Sequence, residues 1–114
     1  MIENRDLNRG TVGTIVLKLL SGRQMYGYEI IKEVEKRTDG EFVWKEGTLY
    51  PALHKLEAGG LIASSWELAS GKPRKYYAIT RAGEAALAAE TATIKKFIAA
   101  LSSIMMTEAH NELA

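Results

Sequence analysis

Two groups of side chains in this chain carry hydrogen-bond donors at spacings suited to an anionic polymer. In the first, Thr48, Pro51, His54, Lys55 and Ala58 fall on one side of a helical period. Leu49, Leu53 and Leu56, at i, i+4 and i+7, fall on the other. A hydroxyl, an imidazole and an ammonium held by a leucine stripe can donate to phosphate oxygens or to guanine acceptors in a DNA groove. Taken alone, the same pattern also describes an ordinary surface helix. In the second group, Lys72, Arg74 and Lys75 crowd around Gly71 and Pro73. Between Gly47 and Thr80 the only carboxylates are Glu57 and Glu67. Positive charge is therefore concentrated here, although the formal net charge of the chain is only +1.

Composition removes several other chemistries. A length of 114 residues, with 46% hydrophobic and 25% charged side chains, is that of one modest globular domain. The chain has no cysteine, so disulfides, thiolate metal sites and cysteine nucleophiles are excluded, in keeping with a reducing compartment. Its two histidines, His54 and His110, lie too far apart and too poorly supplied with further ligands for a zinc site. No serine–histidine–acid constellation or paired-acid pattern is present, and the glycines match no phosphate-cradling motif. The expectation is a protein that is not an enzyme and holds no metal or cofactor. Residues Met1–Asp6 are polar, without the apolar run of a leader. The run Val12–Leu20 is broken by Gly13, Thr14 and Lys18, far short of the ~20 apolar residues of a membrane span. A cytoplasmic protein without membrane association is expected.

The elements that position the two groups follow from periodicity. Thr11–Ser21 reads as a first helix, with Val12, Ile15, Val16, Leu19 and Leu20 forming a core-facing stripe and Gly22 a left-handed stop. Arg9, Thr11, Thr14 and Lys18 lie off that stripe, and Lys18 is either a solvated lysine or a contact. Tyr26–Arg37 reads as a second helix whose inner face is Tyr26, Ile30, Ile31 and Val34, ended at Gly40. Its Glu29, Lys32, Glu33 and Lys36 form a solvated face of i, i+3 and i+4 pairs. Glu41–Trp44 is β-prone and predicts a brief strand before the third helix. Leu61–Glu67 and Arg74–Thr80 predict a hairpin, joined by a loop over Leu68–Pro73. Trp44 and Trp66 are expected to pack in the core of this unit. Three helices followed by a hairpin resemble a winged helix-turn-helix.

Thr80 can cap a last helix that starts at Arg81, has Glu84 in its first turn and runs to about Met106. Leu87, Thr91, Ile94, Ile98, Leu101 and Met105 lie on a heptad stripe, widened by Phe97, Ile104 and Met106. At 1.5 Å per residue this helix approaches ~40 Å, longer than a domain of ~80 residues can cover. Pairing with a second copy is expected, with a helix folded back on its own domain as the alternative. Residues 107–114 are expected to fray. The fold class is thus mainly α with a small β-hairpin (α+β). Residues 1–80 form the winged DNA-binding unit, and residues 81–114 the dimerisation helix and a polar tail.

Three stretches sharpen this reading. Tyr26-Gly27-Tyr28-Glu29-Ile30 opens the second helix. Gly47-Thr48-Leu49-Tyr50-Pro51-Ala52-Leu53, with Leu56-Glu57 and Gly60-Leu61-Ile62, builds the third helix and its exit. Arg74-Lys75-Tyr76-Tyr77, with Ile79-Thr80 and Gly83, follows the wing. In kind and spacing the chain resembles a winged-helix regulator of the PadR family, from about Gly10 to the last helix, in the compact form with a single C-terminal helix. The resemblance implies a dimeric transcriptional regulator, usually a repressor, on a pseudo-palindromic DNA operator. Carried onto this chain, it implies Thr48, Tyr50, Pro51, His54 and Lys55 as groove or backbone contacts, and Lys72, Arg74 and Lys75 as wing contacts. Tyr28 becomes either a phosphate donor or a residue packed against the third helix. The resemblance also implies a small apolar or aromatic effector near the dimer interface. Ile94 stands where drug-binding relatives carry a stacking tryptophan, which leaves Phe97 and Met105, with Ile94, to line an apolar cavity. The rival function is a winged-helix protein-interaction module that does not bind DNA.

Overall fold

The computed structural model describes residues 10–106; Arg9, His110 and the tail at 107–114 lie outside the described residues. The order is α1 (Val12–Leu20), β1 (Met25–Tyr26), α2 (Gly27–Arg37), α3 (Glu46–Ala58), β2 (Ile62–Ala69), β3 (Lys72–Ile79) and α4 (Arg81–Met105). The three strands form an antiparallel sheet in the order β1-β3-β2. One core joins Val12, Val16, Leu17, Leu19 and Leu20 of α1 to Ile30 and Val34 of α2, Leu49 and Leu53 of α3, and Met25, Ile62 and Tyr77 of the sheet. Leu17 is fully buried although it lies off the stripe that periodicity predicts, because the face of α1 that meets its neighbours is wider than one seam. α1 ends on Ser21 in right-handed conformation, and Gly22 has no left-handed φ.

Four further expectations need correction. Glu41–Trp44 is irregular rather than a strand. The edge of β3 that β2 leaves free is taken by Met25 and Tyr26, paired with Tyr77 and Tyr76, so the connector does not pair with β3. It is fixed by Trp44 and Phe42 packing on the core and by the Phe42 N–H donating to Thr38 Oγ1 at 2.9 Å. Tyr26 therefore precedes α2 instead of lying on its inner face; its N–H donates to Glu29 Oε1 at 3.1 Å, which caps the helix.

The connection over Leu68–Pro73 is shorter than predicted. Ala69 pairs with Lys72, leaving only Ser70 and Gly71 as a turn, with φ of 54° and 80°. Two positive φ angles are the signature of the type I′ turn, whose twist matches that of its strands. Pro73 then falls opposite Leu68, one register step from the turn, where an antiparallel pair makes no hydrogen bond. Its missing N–H costs nothing there, so proline is accepted within the strand.

Trp66 is the fourth. It is 69% exposed, because β2 and β3 run beyond the helices that cover Ile62 and Tyr77.

The last helix is joined tightly to the winged unit. Thr80 N–H donates to Leu61 O at 3.0 Å, Thr80 Oγ1 donates to Gly60 O at 2.7 Å, and Gly83 N–H donates to Thr80 Oγ1 at 3.1 Å. Ala86 and Leu87 pack on the winged core, and Thr14 of α1 hydrogen-bonds Glu90. Beyond Ile94, α4 leaves the body, giving extents of 67 × 29 × 21 Å. Its radius of gyration of 17.1 Å exceeds the ~13 Å of a compact chain of this size. Phe97, Ile98, Leu101, Ile104, Met105 and Met106 are all exposed on this projecting part.

Candidate nucleic-acid interface

Leu49 and Leu53, both fully buried, fix the rotation of α3. That rotation leaves Thr48, Pro51, His54 and Lys55 exposed together, as positions 3, 4 and 7 apart on one helical face should be. Pro51 lies inside α3 and cannot donate toward Gly47. Tyr50 belongs to the flank instead. It is half-buried, and its phenol lies so close to Gly27 that a Cβ there would sit 2.9 Å from Tyr50 Cζ. Gly27 is the first residue of α2, so the lack of a side chain is what lets α3 approach.

A prediction follows from this packing. Gly27→Ala should cost about 1 kcal/mol by overpacking, read from urea denaturation, because only the tip of the Tyr50 side chain must swing aside. In a Tyr50→Ala background the same substitution should be neutral or stabilising. Equal costs in both backgrounds would show that Tyr50 does not occupy the space.

Tyr77, on the sheet below this flank, is buried, and its phenol is held neutral above the ordinary tyrosine range. Burial is the main cause, followed by the proximity of Tyr50 and Glu57. Glu57 in turn accepts from Ser64 Oγ at 2.5 Å, which pins the end of α3 to β2.

The two carboxylates between Gly47 and Thr80 are both hydrogen-bonded to neutral side chains. Glu57 is bound to Ser64, and Glu67 accepts two hydrogen bonds from Gln24 Nε2 at 3.0 and 3.1 Å. Register divides the wing cations between two faces. Arg74 shares the outer face with Tyr26 and Tyr76, its guanidinium 4.3 Å from the centre of the Tyr26 ring, and the two rings meet edge to face at 5.4 Å. Lys72 is exposed near the tip. Lys75 lies on the opposite, α3-facing side, its Nζ 5.7 Å from the centre of the buried Tyr77 ring. Tyr28 is exposed at the start of α2 with Lys32 Nζ 5.4 Å from its ring centre. The structure therefore exposes Thr48, Pro51, His54 and Lys55 on one face of α3, with Lys75 on the α3-facing side of the wing, where Glu57 meets Ser64, and Lys72 on the other side with Arg74 and Glu67. Arg74 is stacked on Tyr26. Residue type alone does not place Lys32 over the Tyr28 ring or leave Trp66 and Leu68 exposed on the wing; period-two alternation from Ile62 puts the latter two on one face.

Residues 16–89 match the Transcriptional regulator PadR-like family. This chain belongs to that family. A PadR family transcriptional regulator from Eggerthella lenta shares its fold with a TM-score of 0.75 and 33% identity, over 90% of this chain and 88% of that one. A transcriptional regulator from Clostridium thermocellum gives a TM-score of 0.81 at 36% identity, covering 88% of this chain and 98% of that one. Transcriptional regulator Rv3488 of Mycobacterium tuberculosis is 34% identical over 83 residues, 73% of this chain and 75% of its own length. This PadR-family chain is accordingly a transcriptional regulator rather than an enzyme. Among the described residues, no helix is long and apolar enough to cross a membrane, and no cluster of acidic and histidine side chains fits a metal ion.

Proposed function

We propose that this PadR-family regulator is a repressor that binds a pseudo-palindromic operator as a homodimer. The observation that carries the DNA-binding part is the exposed α3 face of Thr48, His54 and Lys55, flanked by the wing cations, while Glu57 and Glu67 are each held by a neutral side chain. Thr48, His54 and Lys55 approach the groove, and Lys72 and Lys75 approach the flanking phosphates. Pro51 offers shape alone. With no arginine or asparagine on the α3 face, phosphate contacts and DNA shape supply most of the affinity.

Residues 1–80 hold the DNA-binding surface, and residues 81–114 hold the pairing helix. The exposed stripe of Ile98, Leu101 and Met105 supports pairing, continuing from the half-buried Thr91 and Ile94. Leu87, at the start of the same heptad, packs on its own winged core. A small apolar or aromatic effector would lie between the paired helices, against Ile94, Phe97 and Met105. Ile94 also borders an open cleft of about 460 Å³ with Gly10, Thr14, Ala89, Glu90 and Thr93.

The test is a titration of duplex DNA from upstream of the chain's own coding region at several salt concentrations. Wild type should retard it, with affinity falling steeply as salt rises. A Lys55→Ala, Lys72→Ala, Lys75→Ala variant should show a log–log salt slope shallower by about 0.9 for each phosphate it no longer neutralises. Absence of retardation at any salt concentration would favour a protein-interaction module instead.

A further inference from the structure

Two opposite charges face each other across the wing and do not meet. Glu67 of β2 stands directly opposite Arg74 of β3, on the outer face of the hairpin. Directly opposed side chains of an antiparallel pair have Cβ atoms about 5 Å apart, within reach of an ion pair. Among the described residues, Glu67 and Arg74 nevertheless form no salt bridge. Each is engaged on its own. Gln24 Nε2 donates to both carboxylate oxygens of Glu67, at 3.1 and 3.0 Å, and Ser65 Oγ donates to Glu67 Oε2 at 3.3 Å. The Arg74 guanidinium lies 4.3 Å from the centre of the Tyr26 ring, which Tyr76 meets edge to face at 5.4 Å. Glu29, which accepts from the Tyr26 N–H, is paired with Arg23 at 3.2 Å.

β3 lies between β1 and β2, so the bond from Gln24, just before β1, reaches across the middle strand to hold Glu67. An exposed ion pair is worth little, and a neutral amide that makes two hydrogen bonds can compete with it. A guanidinium stacked by its face keeps its charge and its in-plane N–H donors. We propose that Gln24 is a positioning residue for DNA binding: by occupying Glu67 it keeps Arg74 stacked on Tyr26 and free to pair with a phosphate. This rests on the DNA-binding reading above and extends it to a residue that itself touches no DNA. Without Gln24, Glu67 turns to Arg74 and neutralises it, so the wing loses one phosphate contact while all of its cations are still present.

The test measures binding of a duplex from upstream of the chain's own coding region across a salt series. Gln24→Ala should bind about two- to fivefold more weakly, with a log–log salt slope shallower by up to about 0.9, the loss of one phosphate contact. Adding Glu67→Gln, which cannot form the ion pair, should restore both affinity and slope. In an Arg74→Ala background, Gln24→Ala should change nothing further. In the DNA-free protein, the ring-current shifts that Tyr26 imposes on the Arg74 side-chain protons should shrink in Gln24→Ala and return when Glu67→Gln is added. Gln24 and Glu67 are both exposed, and thermal unfolding of each variant checks that the fold is kept. If Gln24→Ala binds as wild type does, or loses as much affinity with Glu67→Gln present, the proposal is overturned and DNA binding stands. If the wild-type chain binds no duplex at low salt, the DNA-binding reading fails and the proposal falls with it.

Discussion

An Ile98→Asp, Leu101→Asp variant is expected to sediment as a monomer and to bind the operator about 100-fold or more weakly, because its two half-sites are no longer engaged by linked subunits. The two residues are 55% and 46% exposed in the single chain, so the change removes no packing from the winged core. Their partner, in the proposed dimer, is the same stripe on a second α4. Two carboxylates in a desolvated seam, each facing its twin, cost far more than the helix pair gains from the residues that remain. The DNA-binding surface itself is untouched, so weak non-specific binding to single half-sites should survive with a shallower salt dependence. Sedimentation and circular dichroism together decide the matter. A folded variant that is still dimeric would show that the chains pair through another surface.

Gly83→Ala is expected to destabilise the chain by about 3 kcal/mol, measured by urea denaturation. In a solvent-exposed helix interior the same change would stabilise by up to ~1 kcal/mol, because glycine is the worse helix former. Here the sign is reversed by crowding. A Cβ on Gly83 would collide with the carbonyl oxygen of Leu61, and it would stand 2.7 Å from Ile79 Cγ1 and 3.1 Å from the Leu61 carbonyl carbon. Two of these atoms are backbone, held by the Thr80 N–H, and cannot move aside as a side-chain tip could. A stabilising Gly83→Ala would mean that α4 does not seat on the exit of α3.

Much of this architecture is legible in the sequence because helix stripes report local geometry. Leu49 and Leu53 lie one turn apart, and their burial orients Thr48, Pro51, His54 and Lys55 outward without knowledge of any neighbour. Thr80 as the cap of α4 is equally local. The features that escape depend on distant partners. Met25 and Tyr26 are too few to show a strand period and become one only against β3. Trp66 has the composition of a core residue, and its exposure follows from where the helical cover ends. Tyr50 lies at the edge of the α3 stripe, where periodicity alone does not choose between groove and packing; Gly27, 23 positions earlier, makes the choice.

The hydrogen bonds around Thr80 also govern how motion passes through the molecule. Gly60 and Leu61 at the exit of α3 and Gly83 at the base of α4 are tied to one residue. The winged unit and α4 are thus tied together through Thr80, and in the proposed dimer each subunit would move as a single lever. In that proposed pair, the crossing angle of the two long helices would set the distance between the two α3 helices, much as the handles of pliers set the jaws. A tilt of a few degrees at the handles is enough to change which half-site spacing the jaws can span.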